Sequence, residues 1–362
     1  MHIIPKLSTI PAPTLMEKVK SMPNMLQVAG IESPLTPILD DCLQRVDRIF
    51  HDQLDSDLPP VRDLCTQVSG YSGKMLRPTM LILCGLATCT DTNTDINVDS
   101  LSSDHFLLAA VMELVHMATL VHDDVLDEAD TRRRGQTINR LHGNEAAVIL
   151  GDYLISNAYH LCSRTGKAEH ALLISETTNI VCEGELLQLH HRDNYSLDEF
   201  TYREIIDRKT ASLIGLSCFL GAYCNGSDDE TCKALERFGR QLGLAFQIRD
   251  DLLDLTGTAD VVGKSLGKDI EKGKLTLPLI HHLAACDPVT RGRSLELIEQ
   301  AEHGGSREQL VTALRSTGSV EYAMNEAGRI VEQASSELNH LPQGAVRDVL
   351  RQVADAVVSR AC

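Results

Sequence analysis

Apolar residues along this chain recur at the three-to-four-residue spacing of helices that bury one face. The pattern runs through PILDDCLQRVDRIFHDQL, HFLLAAVMELVHMATLVHDD, NEAAVILGDYLISNAYHLC, ALLISETTNIVCEGELLQL and TCKALERFGRQLGLAFQIRDDLLDL. No run of alternating β-branched residues competes with it, and polar breaks fall at 88–104, 192–199 and 224–230. The pattern predicts an all-α fold of about ten or more helices with short connections. Pro5, Pro11, Pro13, Pro23 and Pro34 make a poor helix of the beginning of the chain. An irregular leader is therefore expected over residues 1–35, and a single folded domain over 36–362. No internal repeat of fixed period interrupts this reading.

A chain of 362 residues with 43% hydrophobic content can bury a large core. Its net charge of −17 argues against nucleic acid as a partner, because neutralising phosphates requires a basic face. Any phosphate chemistry must be confined to a local basic site. Eleven cysteines form no CxxC pair, and an odd count cannot pair completely within one chain, which points to a reducing cytoplasm. The first twenty residues have neither a cationic start followed by an apolar core nor an apolar run of bilayer length, so a soluble protein with no transmembrane segment is expected.

Two motifs fail on spacing. Asp91, Asn93 and Asp95 begin like a calcium loop, but Ile96 sits where the turn needs glycine and Ser102 where a bidentate glutamate is required. GKSLGKDIEKGK (263–274) resembles a phosphate loop, yet only Lys264, Ser265 and Leu266 separate Gly263 from Gly267, and Asp269 follows Lys268 where Ser or Thr belongs.

What remains is a matched pair of acidic motifs, Asp123-Asp124-Val-Leu-Asp127 and Asp250-Asp251-Leu-Leu-Asp254, each closing a long apolar helical stretch. At about 100° per residue, Asp123 and Asp127 share a face one turn apart, as do Asp250 and Asp254. One such motif would be read as a solvated helix end. Two, each on a core-forming helix, call for a compensating charge, and Mg²⁺ held by one or two carboxylates plus substrate phosphate oxygens supplies it. Guanidinium groups then bind the oxygens that the metal leaves, which gives Arg132 and Arg133 a role beside the first motif. GKMLRP (73–78) places Lys74 and Arg77 three apart on one helical turn as a second anion site.

These residues resemble the trans-prenyltransferases, or polyprenyl diphosphate synthases, over roughly residues 40 to 355. GKMLRP, the DDVLD…RRR segment, GELLQ (184–188), RKT (208–210), FQIRDDLLD (246–254) and GKSLGKDIEKGKLTLP (263–278) occur in family order. The resemblance implies a bundle of mostly antiparallel helices around a central cavity. It implies that Asp123, Asp124, Asp127, Asp250 and Asp254 bind Mg²⁺, about three ions once substrate diphosphate is present. Arg132, Lys209, Thr210, Gln247, Lys264 and Lys274 would surround the allylic diphosphate, and Lys74, Arg77, His116 and Arg133 would hold isopentenyl diphosphate. The catalytic set would be the six aspartates, Asp251 included, with Arg132 and Lys209. Ser72, Arg134 and Lys268 depart from the family pattern at a usual glycine, a usual glycine and a usual acid.

The implied reaction is ionisation, condensation and elimination: Mg²⁺ and cations stabilise the departing diphosphate, the double bond of isopentenyl diphosphate attacks the allylic cation, and the released diphosphate takes the final proton. The allylic partner would be geranyl, farnesyl or geranylgeranyl diphosphate. Thr119 and Ala118 lie about one turn upstream of Asp123, where short-chain relatives place an aromatic floor, and Val115 lies a further turn down. A small Ala118 implies a long all-trans product, roughly C30 to C50, with a floor on another helix such as Tyr159. The alternatives are a short-chain geranylgeranyl or farnesyl diphosphate synthase and a subunit of a heteromeric synthase. The resemblance further implies a homodimer in the cytoplasm, with transient membrane contact for product release.

Overall fold

Helices form wherever the sequence carries the helical apolar period, and caps set several of their starts. The computed structural model describes residues 25–71, 75–89, 97–132, 135–257, 267–302 and 308–359. In chain order the helices are α1 Met25–Ala29, α2 Thr36–Leu54, α3 Pro59–Ser69, α4 Leu76–Ala87, α5 Ser103–Leu126, α6 Ile138–His142, α7 Asn144–Ser163, α8 Ala168–His190 and α9 Glu199–Ile206. There follow α10 Ser212–Tyr223, α11 Asp229–Thr256, α12 Lys268–Glu271, α13 Leu277–Ala285, α14 Pro288–Glu302, α15 Glu308–Ser316, α16 Ser319–Glu337 and α17 Ala345–Ser359. Asp198 and Asp228 cap α9 and α11, each accepting the N–H of the residue three positions on at 2.7 Å.

The centre of the bundle is α5. Its residues from His105 to Ala118 are almost all buried, and α2, α4, α7 and α10 pack around it. A helix apolar on every side belongs in a core. It is long and apolar enough to cross a membrane, but 72% of its most apolar window is buried within the bundle. The long α11 packs between α10 and α16. Both acidic motifs thus end helices that the core fixes in place.

One expectation needs correction. Folded structure begins before residue 36: the proline-free stretch between Pro23 and Pro34 forms α1, which puts Leu26 fully into the core against α17. The chain also has a two-residue antiparallel pair, β1 Thr131–Arg132 with β2 Gly135–Gln136, in register Thr131↔Gln136. It lies directly after the first acidic motif and aims Arg132 back at it. All ten described cysteines are free thiols.

Candidate active site

Both acidic motifs sit at the C-terminal ends of their helices, where the backbone dipole is already negative. Asp127 caps α5, its N–H donating to the Asp123 carbonyl at 2.8 Å. Carboxylates there are disfavoured unless cations face them, and cations do. Lys209 Nζ stands 3.6 Å from Asp123 Oδ2, and Lys274 Nζ donates to both Asp127 oxygens at 2.8 Å. Side chains of Asp123 and Asp127 are 21% and 27% exposed, open enough to meet a ligand.

Asp124 sits in different surroundings from Asp123 and Asp127. Its side chain is 2% exposed, and Oδ1 accepts from Arg132 Nε at 2.9 Å and Nη2 at 2.7 Å. A residue adjacent to Asp123 is turned about 100° around the helix, here into the protein. Expected as a metal ligand, it is paired here with Arg132. Burial raises the pKa of Asp124, and Arg132 opposes that shift. The Arg132 guanidinium also lies 5.9 Å over the Tyr71 ring, whose phenol burial pushes up to about 12.

Between the two motifs lies a π-helical turn, Asp207–Ala211, joining α9 to α10. Such turns carry an extra residue and recur at functional sites. Glycines seat it from both sides: a Cβ on Gly184 of α8 would come within 2.6 Å of the Lys209 nitrogen, and one on Gly243 of α11 within 2.6 Å of Ala211 Cα. Lys209 faces the first motif. It pairs with Glu185 and donates to Gln188 Oε1 at 3.0 Å. Burial disfavours its charge, but the carboxylates of Asp123 and Glu185 outweigh burial, so its pKa is raised.

Thr210, the next residue, faces the second motif. Its hydroxyl donates to Gln247 Oε1 at 2.9 Å, Gln247 Nε2 donates to Asp251 Oδ1 at 2.8 Å, and the Tyr202 hydroxyl donates to Asp251 Oδ2 at 2.6 Å. Burial pushes the Asp251 pKa well up and the negative charge of Asp269 adds to it. Asp254, also buried, accepts the Asp269 N–H at 3.2 Å. Asp250 is half-buried. A cavity lined by Lys209, Thr210, Gln247, Asp251 and Lys274 opens between these groups.

Of the residues read from sequence, the structure therefore brings together Asp123, Asp127, Lys209 and Lys274 on one side, and Thr210, Gln247 and Asp251 on the other. Lys74, Arg133 and Lys264 lie outside the described residues. Arg77 and His116 are half-buried on α4 and α5. Arg77 sits in the first turn of α4, which starts at Leu76 after Met75, left-handed at φ 49°. Ala118 and Val115 are fully buried and Thr119 half-buried. Tyr159, expected as a floor residue, is 36% exposed on α7. Sequence reasoning missed Tyr202, which reads as one more apolar position on α9, and gave no role to Glu185 and Gln188, whose motif it did single out.

A divalent cation fits Asp123 and Asp127, a partly exposed pair one turn apart that attracts cations from two separate segments. The profile of the polyprenyl synthetase family matches residues 59–314. Heptaprenyl diphosphate synthase component 2 of Bacillus subtilis is 32% identical over 89% of this chain and 89% of its own length. Octaprenyl diphosphate synthase of Escherichia coli is 33% identical over 85% of this chain and 93% of its own. The crystal structure of a decaprenyl diphosphate synthase from Rhodobacter capsulatus superposes with a TM-score of 0.80 at 30% identity, covering 90% of this chain and 98% of that one. The motifs, the all-helical bundle and these likenesses agree: the chain belongs to the polyprenyl synthetase family and is a prenyltransferase.

Proposed function

We propose that the chain is a Mg²⁺-dependent trans-polyprenyl diphosphate synthase that joins isopentenyl diphosphate head to tail with a geranyl, farnesyl or geranylgeranyl diphosphate and makes a long all-trans product. The observation that carries this reading is the π turn, whose consecutive residues Lys209 and Thr210 reach the two acidic helix ends. The octaprenyl and heptaprenyl synthases among the relatives support a long product, as does the small, buried Ala118.

Asp123, Asp127, Asp250 and Asp254 hold Mg²⁺, which when bound draws off charge from a departing diphosphate. Lys209, Thr210, Gln247, Lys274 and Lys264, with Arg132 oriented by Asp124, bind the allylic diphosphate. Lys74, Arg77, His116 and Arg133 hold isopentenyl diphosphate. As the allylic C–O bond breaks, its electron pair stays on the diphosphate oxygen, and the ammonium groups of Lys209 and Lys274 stabilise that charge. The isopentenyl double bond attacks the allylic cation, the released diphosphate takes the proton lost from the adduct, and the aliphatic helix faces keep water out. The chain works as a cytoplasmic homodimer, touching a membrane only to release product; the apolar outer face of α7, with Ile149 67% exposed, supports a second copy there.

Incubating the purified chain with labelled isopentenyl diphosphate, farnesyl diphosphate and Mg²⁺ should give a long-chain product by chromatography. Ala118→Phe should shorten that product towards about C15–C20 while condensation continues, because overpacking there leaves the acidic motifs untouched. A wild type that already stops at C15 or C20, or an unchanged product from the variant, overturns the length assignment. A second reading, one half of a two-component synthase, is favoured by the Bacillus subtilis relative being named a component 2. Absence of product from the chain alone would favour that reading.

A further inference from the structure

Directly after α8, Arg192 points its guanidinium at the first acidic motif, outside every segment that carries the family resemblance. Its Nη2 lies 3.6 Å from Asp127 Oδ1. Lys274 already takes both oxygens of that carboxylate at 2.8 Å, so Arg192 is a second cation on one anion. The Arg192 Nη2 is shielded from solvent and makes no hydrogen bond among the described residues. A guanidinium placed only to brace Asp127 would be expected to take the bidentate geometry it favours. A buried charged donor without a hydrogen bond calls for another acceptor.

The placement of this cation is built into the backbone. Asp193 N–H donates to the Gly273 carbonyl at 2.9 Å. Gly273 has φ +64°, and a Cβ there would lie 1.8 Å from Asp193 Oδ1, so no other residue lets the two segments meet this closely. That contact ties the segment bearing Arg192 to the one bearing Lys274. His191, next to Arg192, lines the same cavity as Lys209 and Lys274.

We propose that Arg192 is a further substrate-binding residue, a cation for the allylic diphosphate. This rests on the synthase reading given above. Asp127 holds both cations while the site is free of substrate. Once that carboxylate is engaged by a divalent ion, Arg192 and Lys274 lose their partner together, and an anion carrying several negative charges, a diphosphate, restores the balance.

Arg192→Gln and Arg192→Lys in the full chain test this. By calorimetry with inorganic diphosphate and Mg²⁺, Arg192→Gln should raise Kd about tenfold, the size of one charged hydrogen bond. KM for farnesyl diphosphate should rise similarly while that for isopentenyl diphosphate stays within about twofold, and Arg192→Lys should recover part of both losses. An unchanged diphosphate Kd, with or without a lowered thermal midpoint, makes Arg192 a structural brace and overturns the proposal. An equal rise in both KM values overturns it as well. If the wild type yields no prenyl product, the synthase reading fails, and the diphosphate titration still decides Arg192.

Discussion

The acidic motif ending α5 and the one ending α11 have the same spacing and the same position on their helices, yet different chemistry balances them. Cations face the first: Lys209 at 3.6 Å from Asp123, Lys274 at 2.8 Å from Asp127 and Arg132 at 2.7 Å from Asp124. Among the described residues, the second is met by the Tyr202 hydroxyl and Gln247 amide on Asp251 and the Asp269 N–H on Asp254. A cation compensates a carboxylate's charge, whereas a neutral donor only shares it. Each carboxylate of the first motif thus has a cation beside it, Lys209 being shared with Glu185. In the second, the charge of Asp251 stands against burial and against Asp269. Identical letters fix where carboxylates sit and leave their charge balance to the partners.

The sharpest way to break this comparison is to remove one carboxylate from each side. Asp123→Ala and Asp250→Ala should each cut turnover by about 10² or more at saturating Mg²⁺, since charge stabilisation at a leaving group is worth several kcal/mol. Circular dichroism should show both variants folded, and a near wild-type rate in either would remove that motif from the metal site. A smaller effect separates the anion sites. Lys209→Ala should raise KM for the allylic substrate several-fold more than that for isopentenyl diphosphate, while Arg77→Ala and His116→Ala should do the reverse; equal effects from all three would merge the two sites.

The smallest effect bears on charge alone. Because folding holds the Asp251 pKa well above its ordinary value, Asp251 contributes most to stability when protonated. That contribution is full below the ordinary carboxylate pKa and is lost as pH rises through the raised value. Asp251→Asn keeps an acceptor for Gln247 and never ionises. In metal-free buffer its thermal midpoint should match wild type at mildly acidic pH and exceed it by a few degrees at alkaline pH. A wild type more stable than the variant at alkaline pH would mean that the second motif is charge-balanced after all.

Much of this was legible in the sequence. The helical period marks α2, α5, α7, α8 and α11, and the DDxxD spacing marks both helix ends, because each signal is local and repeats along one element. Partner choice was not legible. Asp124 and Asp123 are adjacent letters, and that Arg132, returned by the pair of β1 with β2, meets the buried one is a tertiary contact no local pattern marks. Tyr202 reaches Asp251 across 49 residues of chain and has no motif of its own. Tyr159 sits on an apolar helix and reads as core, but which side of α7 faces inward depends on packing against α5, which periodicity narrows and does not settle. The start of α4 hid behind Met75, whose left-handed backbone is unusual for a residue with a side chain.

The π turn at Asp207–Ala211 makes this stretch sensitive to length more than to identity. Removing any one of its residues would let the segment relax to an ordinary helix with α9 and α10 close to their present phase, but the side chains inside the turn would be redistributed around the axis. Lys209 and Thr210, both inside it, could then no longer serve opposite sides. Between glycines that fit the turn within 2.6 Å on both flanks, an inserted residue has no room to bulge. Single-residue insertions and deletions here should abolish turnover even where substitutions at Asp207 or Ala211 leave it largely intact, so the count of residues in this turn is itself part of the site.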